Sequence, residues 1–189
     1  MTELYQAIYH RPLADIIGWM TALTLAWAVL RLLFRISRRT GRVWMWTNRV
    51  LCVCSVLGVL IVTVFMRSGA GTGISLKLFE LPLEPGPRDE YPRMLLMNAF
   101  LFLPLGMSLG SSWPDEWTLP GRIAWTAVGG FAVTLTCELL QLLLSRGTFE
   151  IDDLTMNLAG VLLGLVHVVP ADLILSGVRL LIKKRKKKV

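Results

Sequence analysis

Five long runs of apolar residues constrain the fold of this chain more than any other feature of its sequence. The composition is 54% hydrophobic and only 17% charged, whereas soluble domains typically carry about 25% charged residues. A helix of about 20 apolar residues crosses a bilayer core, so each run predicts a membrane span. The runs are Leu13–Phe34, Val50–Met66, Met94–Gly110, Ile123–Leu144 and Leu154–Val169.

The runs predict an all-α, multi-pass membrane protein, a bundle of about five transmembrane helices. Residues 1–49 would contain the first helix and a basic cytoplasmic loop, and residues 50–170 the main membrane domain. Residues 171–189 would form an interfacial helix, or an extension of the fifth helix, followed by a Lys-rich tail.

The distribution of Lys and Arg predicts the orientation of the bundle. Positive charge is concentrated between Arg35 and Arg49 and in the tail Lys183–Lys188, and both segments flank apolar runs. Cytoplasmic loops carry an excess of Lys and Arg, so we expect the N-terminus outside and the C-terminus in the cytoplasm. This rule accounts for the net charge of +7, and no nucleic-acid recognition motif accompanies the charge.

The connection Arg67–Arg93 is the longer of the two segments expected outside, and it is rich in Gly and Pro. Long connections without a helical pattern are often lids or binding loops. Its middle, residues 74–83, is expected either to alternate as a strand or to lie flat at the membrane interface.

Polar side chains interrupt three of the runs at similar expected depth. Glu138 and Gln141 lie one turn apart near the outer end of the fourth run, while Asn98 and Asn157 lie within the third and fifth. At a rise of about 1.5 Å per residue, all are roughly 5 to 10 Å below the outer surface. We expect the Asp153/Asn157 face of the fifth helix to pack on the Glu138/Gln141 face of the fourth, with Asn98 nearby.

Buried carboxylates in a membrane are costly and are usually functional. Glu138, Asp152 and Asp153 are therefore candidate catalytic residues, either as general acid and base or as ligands of a hard divalent cation. Arg146 is a candidate phosphate ligand. The alternatives are that both aspartates start the fifth helix and that Arg146 is a surface charge or their ion-pair partner.

Asn98, Gln141 and Asn157 are candidate substrate-binding residues, although such side chains also act purely as inter-helix contacts. His10 and His167 are isolated, and no nucleophile motif or Gly-rich phosphate loop is present. The sequence therefore assigns no residue as a metal ligand and identifies no cofactor, and it leaves open whether a metal binds and whether the protein is an enzyme.

These residues in this order resemble the VanZ-like family of membrane proteins. The matching motifs are Asn98–Gly106 (N-x-x-x-F-x-P-x-G), Glu138 with Gln141, Arg146 followed by Asp152 and Asp153, and Asn157 with Gly160. The resemblance covers residues 98–164 in its motifs and is expected to extend from Val50 in architecture. It implies a membrane protein of the bacterial envelope. The family's founding member is associated with resistance to the lipid-bearing glycopeptide teicoplanin more than to vancomycin.

Three functions remain open on this basis. The first is a site that binds or modifies a membrane lipid, a lipid-linked cell-wall precursor or a lipoglycopeptide antibiotic at the outer leaflet. The second is a non-catalytic scaffold or resistance factor for the cell-wall machinery. The third is a small transporter, which the inner halves of helices three to five disfavour because His167 is their only ionisable residue. The oligomeric state is not encoded in any pattern that we recognise.

Overall fold

The structure is a computed structural model. It describes residues 12–35, 38–67, 73–79, 90–114, 117–166, 168, 170–171, 173–175 and 177–178. Within these residues the chain is built from helices with one minimal sheet. The elements are α1 (Leu13–Arg35), α2 (Arg38–Leu60) with its π-helical end Ile61–Phe65, β1 (Ile74–Ser75), α3 (Glu90–Ser111), α4 (Leu119–Leu143), β2 (Phe149–Glu150) and α5 (Ile151–Leu165).

The expected basic loop between the first two spans is largely helical. We expected the second helix to start at Val50, but α2 begins at Arg38. Arginine has nearly the helix propensity of leucine, so an Arg-rich segment can extend an apolar helix by several turns. Trp44 is buried and stacks on Phe34 of α1 with ring centroids 5.4 Å apart. The predicted boundary at residues 49/50 therefore lies within α2.

Four helices are long and apolar enough to cross a membrane: Leu13–Arg35, Thr40–Phe65, Tyr91–Ser111 and Leu119–Leu143. The fifth predicted span corresponds to α5, which has 15 residues and is shorter than the ~20 residues a span needs. The described residues from 168 to 178 are also helical. The structure therefore supports an all-α membrane protein, while five spans and the side of each terminus remain predictions.

α5 makes its most extensive contacts with α3, because glycines remove the side chains between them. A Cβ at Gly160 would lie 2.1 Å from the carbonyl oxygen of Ala99, and one at Gly164 would lie 2.3 Å from that of Leu103. From the other side, a Cβ at Gly106 would lie 2.0 Å from the carbonyl oxygen of Val161. Such close backbone approach is typical of membrane helix pairs with small residues at their interface.

A two-stranded parallel sheet joins the two long connections. Ile74 pairs with Phe149 and Ser75 with Glu150, and the backbone N–H of Phe149 donates to the carbonyl of Gly73 at 2.9 Å. Since β2 leads directly into α5, this pairing fixes the middle of the 67–93 connection above the first turn of α5. Of the two conformations expected for residues 74–83, the strand is present at Ile74–Ser75 within the part of this segment that the structure describes, residues 74–79.

Candidate functional site

The polar side chains predicted from sequence gather at one end of the bundle. This end is formed by the last turns of α2 and α4 and the first turns of α3 and α5. We call four of its residues, which hydrogen-bond to one another, the polar cluster: Arg67, Asn98, Gln141 and Asp153.

Arg67 links two helices through a single nitrogen. Its Nη1 donates to Oε1 of Gln141 at 2.8 Å and to Oδ2 of Asp153 at 3.3 Å, the second contact also being a salt bridge. Gln141 is fixed further by its Nε2, which donates to the carbonyl of Thr63 at 3.2 Å. Asp153 receives a second hydrogen bond, from Nδ2 of Asn98 at 2.5 Å. The cluster thus satisfies a buried carboxylate with a cation and an amide, as burial of a charge requires.

Glu138 lies one turn below Gln141 on the same face of α4. Glu138 is buried, with 1% of its surface exposed. Its Oε2 accepts a hydrogen bond from the backbone N–H of Glu150 at 3.2 Å. Glu150 immediately precedes α5. Burial is the main cause that raises the pKa of its carboxyl above the ordinary value, and repulsion from Asp153 adds to it, whereas attraction to Arg67 lowers the pKa. Two further carboxyl groups therefore adjoin the polar cluster.

Asp152 holds two neighbouring segments in place, residues 73–79 and the start of α3. Its Oδ1 accepts from the backbone N–H of Phe79 at 2.8 Å, and its Oδ2 accepts from the hydroxyl of Tyr91. Both carboxylate oxygens are thus engaged within the protein. This arrangement indicates that Asp152 positions the 73–79 segment and the start of α3, a role that the sequence did not suggest.

Asn157 lies one turn deeper than Asp153 and connects α5 to α4. Its Nδ2 donates to Oγ1 of Thr134 at 2.9 Å, and both residues are buried. Its Oδ1 has no hydrogen-bond partner among the described residues. The expected packing of the Asp153/Asn157 face on α4 is therefore present, although the glycines of α5 face α3.

The hydrogen bond of Arg146 goes to a backbone carbonyl and not to a residue of the polar cluster. Its Nη1 donates to the carbonyl of Phe65 at 2.9 Å, and the residue is exposed. The ion-pair partner of Asp153 is Arg67, so the alternative that assigned this pairing to Arg146 is wrong for Asp153. Because Phe65 is two residues before Arg67, both guanidinium groups lie at the end of the α2 extension.

The sequence did not identify three residues as part of this site: Arg67, Tyr91 and Thr134. Arg67 and Tyr91 stand at the ends of connections, where a polar residue is ordinary at a membrane interface. Thr134 is one turn before Glu138 on α4, and this i, i+4 spacing is the one signal that could have identified it.

The described residues include no group of three or more His, Cys, Asp or Glu arranged to hold a metal ion. The described side chains can form hydrogen bonds, pair charges and exchange protons at carboxyl groups. Hydrogen bonds from Arg67 to the described residues all use Nη1, and its side chain is 35% exposed. The guanidinium can therefore offer its remaining N–H groups to an external acceptor.

Comparison with known proteins adds a family relationship. A family model described as VanZ/LLP1 matches residues 16–174, which include most of α1 and begin well before the motif region that carries the resemblance. No curated protein matches the chain significantly, and neither does a solved structure.

Proposed function

We propose that this chain, which belongs to the VanZ/LLP1 family, binds a lipid-linked or lipidated component of the bacterial envelope at the polar cluster. The ligand would be a membrane lipid, a phosphate-bearing cell-wall precursor or a lipoglycopeptide antibiotic of the teicoplanin type. The protein would act in the cell membrane, with the polar cluster near the outer leaflet.

The partly exposed guanidinium of Arg67 is the observation that carries this proposal. Buried Gln141 and Asp153 hold one nitrogen of the group, so its position is fixed before any ligand arrives. A preorganised group loses less conformational entropy on binding than a mobile surface arginine. Arginine also forms the bidentate hydrogen bonds that suit phosphate and carboxylate oxygens.

Arg146 extends the same surface. It is anchored to the carbonyl of Phe65 by one nitrogen at 2.9 Å and remains exposed. In this proposal Arg67 and Arg146 bind the phosphate, and the buried carboxyl of Glu138, one turn from Gln141 on α4, is the candidate for proton exchange. In this proposal Asp152 and Asp153 position the binding groups and do not contact the ligand.

A scaffold function is the second candidate, and one observation favours it. The carboxylates of Asp152 and Asp153 are satisfied by hydrogen bonds within the protein, as expected for groups that fix helix positions. In that case the cluster would stabilise the bundle, and the exposed surface would contact a cell-wall enzyme.

A susceptibility assay tests the proposal. A Gram-positive host would express the wild-type chain or the variants Arg67→Gln, Glu138→Gln and Asp153→Asn, and teicoplanin and vancomycin would be tested together. Thr155→Ala is the matched control, because Thr155 lies on α5 and, within the described part of the chain, its hydroxyl donates to the carbonyl of Ile151 in its own helix. Membrane abundance of every variant would be measured in parallel.

We expect the wild type to protect selectively against teicoplanin and Arg67→Gln to abolish protection at unchanged abundance. Loss of protection together with loss of abundance would assign the cluster to stability and favour the scaffold. Full protection by Arg67→Gln would refute the proposed binding role. No protection by the wild type would refute the antibiotic ligand. The lipid ligand would then be tested by binding of a polyprenyl phosphate to the purified protein in nanodiscs.

A further inference from the structure

The segment Ile74–Phe79, which we call the strap, turns its apolar side chains outward. Ile74, Leu76 and Leu78 are 65%, 70% and 55% exposed, and Phe79 is 47% exposed. Ser75, between the first two, is partly buried. A contiguous apolar surface of this kind is rare on a protein face that contacts water. The outward face of the strap therefore requires a non-aqueous surrounding.

The strap is fixed at both ends, so its outward direction is set by the fold. At its start the backbone pairs with β2. At its end the N–H of Phe79 donates to Asp152, and Phe79 adopts a φ of 53°. A bulky residue rarely adopts this left-handed conformation. A strained residue persists only where surrounding contacts enforce it, here the hydrogen bond to Asp152.

The strap lies at the level where the apolar surface of the spans ends. β2 follows α4 closely, and the last residues of α4 and α2 expose large apolar side chains at this end of the bundle, namely Leu143, Leu144, Phe65 and Met66. Exposed apolar side chains of the spans and of the strap therefore lie at the same end of the bundle.

We propose that the outward face of the strap is inserted into the interfacial layer of the bilayer. The partner is the lipid itself, through the glycerol region and the first methylenes of the acyl chains. This inference depends on the contacts of the strap and not on the proposed ligand.

Site-specific fluorescence tests the insertion in lipid vesicles without any ligand. The variants Leu76→Cys and Leu78→Cys would be labelled with an environment-sensitive nitrobenzoxadiazole. Arg146→Cys is the control, an exposed residue at the same end of the bundle. The wild-type chain labelled in parallel gives the background from Cys52, Cys54 and Cys137. Quenching by lipids spin-labelled near the headgroup would be compared with quenching by iodide on both sides of the membrane.

We expect blue-shifted emission at Leu76→Cys and Leu78→Cys, with strong quenching by the spin-labelled lipid and weak quenching by iodide. Arg146→Cys should show the opposite preference. Strong iodide quenching at both strap positions would overturn the inference, because the strap would then face water. Protection from both quenchers would overturn it as well, because protein would then cover the strap. Either result leaves the proposed role of Arg67 to its own assay.

Discussion

Gly160→Ala should separate α3 from α5 and destabilise the bundle. The added Cβ would lie 2.1 Å from the carbonyl oxygen of Ala99, far inside the 3.0 Å that real Cβ contacts essentially never undercut. The obstructing atom belongs to the backbone, so no side-chain rotation relieves the contact. The two helix backbones must therefore move apart by nearly 1 Å, a shift of the order that overpacked cores show.

The cost of Gly160→Ala follows from this separation. Overpacking typically costs about 1–3 kcal/mol, and we expect about 3 kcal/mol here because a backbone atom obstructs the new methyl group. Moving α5 also draws Asp153 away from Asn98 of α3, which would lengthen the 2.5 Å hydrogen bond between them. The change should thus reach the polar cluster from a residue that does not contact it.

Unfolding in mixed micelles by increasing sodium dodecyl sulfate measures this prediction. Gly58→Ala is the matched control, because Gly58 is also in a candidate span and a Cβ there would meet nothing within 4 Å. We expect Gly58→Ala to unfold at the wild-type detergent fraction or above it, and Gly160→Ala well below it. Equal midpoints for both variants would refute the close backbone packing of α3 on α5.

Three further outcomes are expected. Asn98→Leu should lower the unfolding free energy by about 1–3 kcal/mol, because buried Asp153 loses a hydrogen bond; an unchanged thermal midpoint in detergent would contradict that contact. Glu150→Gln should raise the thermal midpoint, more at about pH 8 than at about pH 5, because an acid whose folded pKa is raised destabilises the fold only when ionised. A gain that is larger at the lower pH would reverse the sign of this argument. The pair Thr134→Cys and Asn157→Cys should form a disulfide on mild oxidation, detected by a shift in electrophoretic mobility that reducing agent reverses. Failure to cross-link in a folded protein would argue against the α4–α5 contact.

The apolar helices, and the position of the polar residues near one end of them, could be predicted from sequence because both depend on local patterns. A run of apolar residues predicts a span wherever it occurs. Glu138, Gln141 and Asn157 are conspicuous because each is polar within such a run. Counting residues from the run ends then places them at one depth.

Two partners of these residues, Arg67 and Glu150, could not be predicted, because they lie outside the apolar runs. Arg67 follows the second run in the position of an ordinary interfacial charge, and only the folded chain brings it within 2.8 Å of Gln141. The strand pairing of Ile74 with Phe149 joins residues distant in sequence through two short segments. Such short strands carry too little alternation to be recognised.

The early start of α2 was missed for a related reason. In a hydropathy pattern the charged residues before Val50 mark the end of the apolar run, so the pattern predicts a loop where the helix continues to Arg38. Arg42 and Arg49 are compatible with a helix that begins outside the apolar core, and Arg49 stacks over the ring of Trp46 at 4.6 Å. The helix propensity of arginine favours the longer α2, whereas hydropathy identifies only the apolar part of this helix.

The position of Asp153 late in the chain determines the order in which this protein can be assembled. Arg67 and Asn98 emerge from the ribosome long before the carboxylate that pairs with them, and the strap emerges before Asp152 and β2. A nascent chain that ends before α5 therefore lacks the carboxylate acceptors of Arg67, of Asn98 and of the backbone N–H of Phe79. Addition of α5 supplies Asp152 and Asp153 together, so the contacts that tie the strap, the start of α3 and the end of α2 to these carboxylates form in a single late step.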